Sequence, residues 1–191
     1  GDLGIGAYGI CNRLIFMFMM ICMGLNQGMQ PIAGYNYGAR QYSRVKEVFR
    51  HTAILATVIT SICFAIGMFI PQAAVRIFTS DGELIEMAAE GLRILTLMFP
   101  IVGFQMIGTN FFQSLGMVKK SVFLSLSRQI LFLLPLLYTL PQWFGAKGVW
   151  FSFPVSDLIA AVMTAFMLTH LFRKFNKLND GDDPTVLGSQ I

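Results

Sequence analysis

Two charged side chains lie deep inside apolar stretches of this sequence. Arg13 falls in the first stretch and Asp157 in the last. At 1.5 Å per residue, each charge lies roughly 13–15 Å from the same end of its stretch. An ionisable group in hydrocarbon costs at least about 3 kcal/mol, so each needs a partner or a wet cavity. We therefore predict a buried Arg13–Asp157 pair. The sequence leaves open whether it is structural, functional in gating or proton coupling, or two separate groups reaching the interface.

Uncharged polar residues recur within two of the stretches. Gln105, Thr109 and Gln113 are spaced by four, so a helix would place them on one face. Such a stripe avoids lipid, and it either lines a water-filled path or makes hydrogen bonds between helices. From polarity and helical facing, the residues that we expect to line a transport path are Asn12, Arg13, Phe16, Met20, Gln105, Thr109, Asn110 and Gln113.

Several enzyme chemistries lack their residues here. Residues 4–9 match G-x-G-x-x-G, but neither the preceding strand nor the later acidic residue of a dinucleotide site is present. Asp157 is the only carboxylate deep in a stretch, so an aspartyl pair cannot form. His51 and His170 lie near stretch ends and build neither a zinc motif nor a Ser–His arrangement. We expect no enzyme, no metal and no organic cofactor.

The composition is that of a membrane protein. The 191 residues are 55% hydrophobic and 13% charged, and soluble domains carry about twice that charge. Uncharged runs of about 18 residues are typical of membrane-spanning helices. We predict an all-α integral membrane bundle, residues 1–175, with a polar cytoplasmic tail, residues 176–191, that is disordered after Lys177. The five predicted helices cover residues 3–31, 45–70, 84–115, 121–140 and 149–172, with kinks at Pro100, Pro135 and Pro154.

Lys and Arg residues are distributed unevenly among the predicted loops. Of the fourteen Lys and Arg residues, ten lie in the loops on one side of the predicted bundle and three in the loops on the other side. Basic loops are cytoplasmic in membrane proteins. The first helix would then enter from outside and the C-terminus would lie in the cytoplasm. The chain starts with Gly1 and shows no signal peptide, so we expect an upstream part. Cys11, Cys22 and Cys63 lie in apolar runs and are expected to pack rather than to pair.

A glycine-rich stretch at the end of the first helix resembles the multidrug and toxic compound extrusion (MATE) family. Its residues are Gly24, Gln27, Gly28, Gln30, Pro31, Gly34, Asn36 and Gly38. We also interpret Gly24-x-x-x-Gly28 as a close helix-packing face. The resemblance continues through residues 112–121, 127–135, 145–150 and 154–157, and it covers residues 4–172.

The resemblance implies a twelve-helix transporter with two lobes, of which this chain supplies helices eight to twelve. The parent would export organic cations or drugs in exchange for H⁺ or Na⁺ from a bacterial inner membrane. Some branches carry a coupling acid in helix ten, but residues 94–115 contain none. The pattern therefore resembles the DinF-like branch, whose coupling acid lies in helix one, outside this chain.

The implied partners are membrane lipid, the N-terminal half of the same protein and small organic cations, without nucleic acid. Two other functions stay open. A lipid-linked oligosaccharide flippase has a similar two-lobe plan but a strongly cationic cavity, for which only Arg13 is a candidate. A non-transporting membrane scaffold would use the polar stripe for assembly.

Overall fold

The computed structural model describes residues 2–183, which form helices and no strand. The helices follow one another along the sequence with short connections. Their bounds are α1 Asp2–Gly38, α2 Tyr42–Phe69, α3 Pro71–Arg76, α4 Gly82–Thr96, α5 Phe99–Ser114, α6 Val118–Leu126, a π-helical segment Ser127–Leu133, α7 Leu134–Phe144 and α8 Ala146–Phe175.

The predicted five spans correspond to these helices. Four helical stretches are long and apolar enough to cross a membrane, and α4 with α5 makes a fifth when the bent pair counts as one span. The two meet at 52°, where Pro100 lies in the first turn of α5. Proline removes a backbone donor and clashes with the preceding turn, so the kink predicted there is confirmed. Pro154 lies inside the single helix α8.

Helix α1 is longer than the sequence predicted. It passes through Pro31 and ends at Gly38, because a membrane helix can accommodate a proline when its neighbours compensate the lost hydrogen bond. The 37 residues extend over about 55 Å at 1.5 Å per residue. Since the hydrocarbon core is about 30 Å thick, α1 must tilt or project beyond it.

Helix α5 is the centre of the bundle and packs on α2, α8 and α1. The largest hydrophobic cluster surrounds its C-terminal half and includes Phe49, Phe111 and Phe175. A second cluster joins the start of α1 to α3 and α4. The three cysteines are buried and free, as predicted.

The structure brings the three basic regions to one end of the bundle. Tyr37, at the end of α1, packs against Phe175 of α8 with ring centroids 6.0 Å apart. Tyr37 also shares a surface depression with Lys119 and Lys120. Lys147 and Glu90 form an exposed ion pair at the other end, N–O distance 2.6 Å. The predicted alternation of basic loops is therefore matched by the packing.

The tail folds back on the start of α2. Arg40 pairs with Asp183 at 2.7 Å, and the Tyr42 hydroxyl donates to the Asp182 carbonyl at 3.0 Å. Asp180 accepts hydrogen bonds from the backbone N–H and the hydroxyl of Ser43. It thereby caps a helix whose own N-cap residue provides no side-chain bond. The expected disorder after Lys177 is wrong for residues 178–183, and residues 184–191 lie outside the described part.

The Asp180 cap should respond to acid. Hydrogen bonds from Ser43 hold the pKa of Asp180 below its usual value. A carboxylate whose pKa is lowered by folding stabilises the folded state at pH values above its pKa in the unfolded chain. This stabilisation is lost as the pH falls through the pKa of the folded state. We therefore expect the Ser43 amide to lose its protection against hydrogen exchange only below about pH 3.9.

The same loss should occur at neutral pH in Asp180→Ala. Asp182→Ala is the matched control, because its carboxylate accepts a local bond from the Asn179 amide, whereas that of Asp180 accepts from Ser43. Equal Ser43 protection in the two variants would contradict the cap.

Candidate functional site

A buried ion pair joins the π-helical segment to α8. The Arg128 Nε donates to Oδ1 of Asp157 at 2.7 Å, and its Nη2 lies 2.5 Å from the same oxygen. The Asp157 side chain is only 7% exposed, whereas that of Arg128 is 36% exposed. Two N–H groups therefore converge on one carboxylate oxygen in a low-dielectric setting, where charge-assisted hydrogen bonds are strong.

The predicted Arg13–Asp157 pair is wrong. Arg13 is exposed and makes no ion pair or hydrogen bond to any residue between 2 and 183. The buried face of α1 at this level consists of Ile10, Cys11 and Leu14 instead. Asp157 has a buried partner as predicted, but this partner is Arg128 and not Arg13.

Arg128 lies well inside its span rather than at a span end. The spans that contain the pair start at Val118 and Lys147. Arg128 and Asp157 each lie ten residues further on, which is about 15 Å. The two antiparallel helices therefore meet with each charge about 15 Å from the start of its own span.

The π-helical segment gives Arg128 its position. A π turn widens the helix and is frequent at functional sites. The Ser156 hydroxyl, next to Asp157, donates to the Arg128 carbonyl at 3.1 Å. Both the side chain and the backbone of Arg128 are thus bound by consecutive residues of α8, which fixes the register between the two spans.

A cavity of about 170 Å³ opens beside this pair. Its polar walls are Tyr8 and Asn12 of α1 with Arg128 and Asp157. Phe99, immediately after the bend between α4 and α5, closes part of it. The broken span and the π-helical segment therefore meet around one carboxylate, which makes this the candidate functional site.

The predicted path residues of α1 lie on its outer face. Asn12, Arg13, Phe16 and Met20 are all exposed. Asn12 lines the Asp157 cavity. The structure therefore connects one of the four predicted residues to the ion pair, while the others face away from the described bundle.

The four predicted polar residues of α5 differ in exposure, and two of them donate hydrogen bonds within their own helix. Gln105 and Thr109 are buried, and the Thr109 hydroxyl donates to the Gln105 carbonyl at 3.0 Å. Asn110 donates to the Met106 carbonyl of its own helix at 2.9 Å, and Gln113 is exposed. None of the four lines the cavity beside Asp157.

The glycine-rich family stretch forms the last part of α1. A side chain at Gly34 would lie 3.0 Å from the Ser114 carbonyl, so this glycine permits close approach of α1 and α5. Asn36 is buried and donates to the Ile32 carbonyl at 2.8 Å. Gly24 and Gly28 have nothing within 4 Å, so the close-packing face predicted for them has no partner among residues 2–183. The remaining members of the stretch, Gln27, Gln30, Pro31 and Gly38, lie on the same helix.

The sequence identified Asp157 as a site residue but missed Arg128 as its partner. The available signal was the equal distance of both residues from the starts of adjacent spans. The start of span four was predicted at residue 121, three residues after its start at Val118, so the predicted bounds do not show this equality. Within residues 2–183, no group of three or more His, Cys, Asp or Glu is placed to hold a metal ion.

Similar proteins include two multidrug export proteins. The chain is 27% identical over 173 residues to the multidrug export protein MepA of Staphylococcus aureus (strain MSSA476). It is 23% identical over 171 residues to MepA of Staphylococcus haemolyticus (strain JCSC1435). These matches cover 91% and 90% of the chain but only 38% and 37% of the relatives, so the chain spans less than two fifths of their length.

Solved structures of MATE transporters also match this chain. The MATE multidrug transporter DinF-BH in complex with R6G matches with a TM-score of 0.80 and 40% identity, over 90% of this chain and 38% of that one. A MATE structure in complex with MaL6 matches with a TM-score of 0.84 over 93% of this chain and 41% of that one. At 18% identity this likeness shows the fold alone. The MatE family model matches residues 1–139. This multi-pass membrane chain therefore belongs to the MatE family of multidrug efflux transporters.

Proposed function

We propose that this chain supplies helices eight to twelve of a secondary antiporter that exports organic cations or drugs in exchange for H⁺ or Na⁺. The transporter operates in a bacterial inner membrane with the C-terminus in the cytoplasm. The N-terminal half of the same protein provides the second lobe and the coupling acid. Family membership and the likeness to DinF-BH support this function.

The observation that carries the proposal is the buried Arg128–Asp157 pair beside the cavity within the spans. Intramembrane charges are costly and are characteristic of substrate and ion pathways. The pair lies where a π-helical segment and a bent span line one cavity, and π-helical segments are frequent at functional sites.

In this proposal, the pair couples cargo to helix movement. A cation that enters beside Asn12 competes with Arg128 for the Asp157 carboxylate. Release of Arg128 loosens its contact with α8, and the π-helical segment then rearranges. Protonation of Asp157 has the same effect, because a neutral carboxyl holds the guanidinium weakly. The bond between the Ser156 hydroxyl and the Arg128 carbonyl stays as a hinge point.

The test is transport by the full-length protein in a pump-deficient bacterium. We expect Asp157→Asn to reduce gradient-driven efflux of R6G, the compound in the DinF-BH structure, by about ten-fold, which is within the usual range of coupling energies. Asp182→Asn, a tail carboxylate outside the cavity, is the control. The amount of protein in the membrane is measured for each variant.

Unchanged efflux in Asp157→Asn at normal protein level would remove the pair from the mechanism. Absence of gradient-driven efflux for several organic cations in the unmodified protein would overturn the antiporter proposal itself. Efflux that responds to Na⁺ alone or to a proton gradient alone would identify the coupling ion.

A further inference from the structure

A second and larger cavity lies on the outside of the bundle, away from Asp157. It has a volume of about 650 Å³ and runs between α2 and α8 with Phe104 of α5 among its lining residues. Ala53, Ile54 and Val58 line the α2 side, and Phe172 lines the α8 side. Most of its lining side chains are apolar and none of them is acidic.

The length of the groove corresponds to one leaflet of a bilayer. On α2 its lining residues follow a helical stripe from Lys46 to Val58, a distance of about 18 Å at 1.5 Å per residue. One leaflet contributes about 15 Å of the hydrocarbon core. The groove therefore starts at the level of the interface and ends near the middle of the membrane.

Two cationic side chains stand at the interfacial end of the groove. Lys46 donates to Oδ1 of Asn176 at 2.8 Å and lies within electrostatic reach of Asp180. Arg50 is exposed and makes no hydrogen bond or ion pair to the part of the chain between residues 2 and 183. An uncommitted guanidinium above an apolar channel is suited to a phosphate group, which it can bind through two parallel N–H bonds.

We propose that this groove binds one anionic phospholipid from the leaflet at the basic end of the bundle. Its phosphate lies against Arg50 and Lys46, and one acyl chain extends along Ile54 towards Val58. The charge at the mouth together with the apolar wall selects this occupant over a soluble anion, which would leave the wall empty. The site is independent of the transport proposal, because it lies on a different face and its test measures lipid binding only.

Native mass spectrometry of the full-length protein in detergent tests the site, with phosphatidylglycerol and phosphatidylcholine of identical acyl chains as probes. We expect tighter binding of the first phosphatidylglycerol than of phosphatidylcholine. Arg50→Gln should weaken phosphatidylglycerol binding about five-fold, as expected for one interfacial charge. Lys46→Gln should have a smaller effect, since Asn176 and Asp180 already engage Lys46.

Matched controls separate this site from general lipid adhesion. Arg44 is also an exposed arginine near the start of α2 but does not line the groove, so Arg44→Gln should leave binding unchanged. Ile54→Trp should obstruct the acyl channel, whereas Leu55→Trp should not, although both residues are about half exposed. Equal binding of the two lipids, or equal effects within either pair of variants, would overturn the proposal.

Discussion

Replacing Arg128 by Ala should lower the free energy of unfolding by about 3 kcal/mol, the lower end of the range for breaking a buried ion pair. The lower end applies because the Arg128 side chain is partly exposed. The cost arises from the Asp157 carboxylate, which is 7% exposed in the intact pair and loses its counter-charge in a medium that solvates it poorly. The measurement is the denaturant unfolding curve of the purified protein in detergent micelles.

Two further variants identify the cause. Asp157→Leu combined with Arg128→Met should recover most of the loss, since an apolar pair leaves no charge to solvate. Lys147→Ala breaks the exposed pair with Glu90 and should cost no more than about 1 kcal/mol. If Arg128→Ala cost no more than Lys147→Ala, the carboxylate would not be buried as the structure has it.

Gly103→Ala should destabilise the bundle by about 2 kcal/mol through overpacking. An added methyl carbon would lie 2.5 Å from Oγ1 of Thr60 and 2.7 Å from the Ala56 carbonyl oxygen. Because a backbone atom is involved, helix α2 itself must shift away from α5. The helix-propensity gain of alanine over glycine, about 1 kcal/mol, would only partly offset this strain, and the same unfolding assay measures the net change.

Gly28→Ala is the comparison, since nothing lies within 4 Å of an added carbon there. We expect no loss and a small gain from helix propensity. A clear loss would mean that another part of the protein packs on this face of α1. Unchanged stability in Gly103→Ala would contradict the close approach of α2 and α5.

Local sequence determined the membrane class, the number of spans and the family. Runs of uncharged residues and the helical period of 3.6 residues are properties of one segment at a time. Most ends of the five spans were therefore predicted to within a few residues. The glycine-rich stretch was identified in the same way. The exceptions are places where a helix departs from the predicted form: the passage of α1 through Pro31 and the π-helical segment.

Contacts between segments were decided only by the tertiary structure. Sequence placed Asp157 in a span and required a partner for it, because a charge in hydrocarbon needs one. It could not choose between Arg13 and Arg128, since that choice depends on which helices are neighbours and how each is rotated. The same holds for Asp180 capping α2 across the chain. Hydrophobic patterning is a local property, but the pairing of charges depends on positions that only the packed bundle establishes.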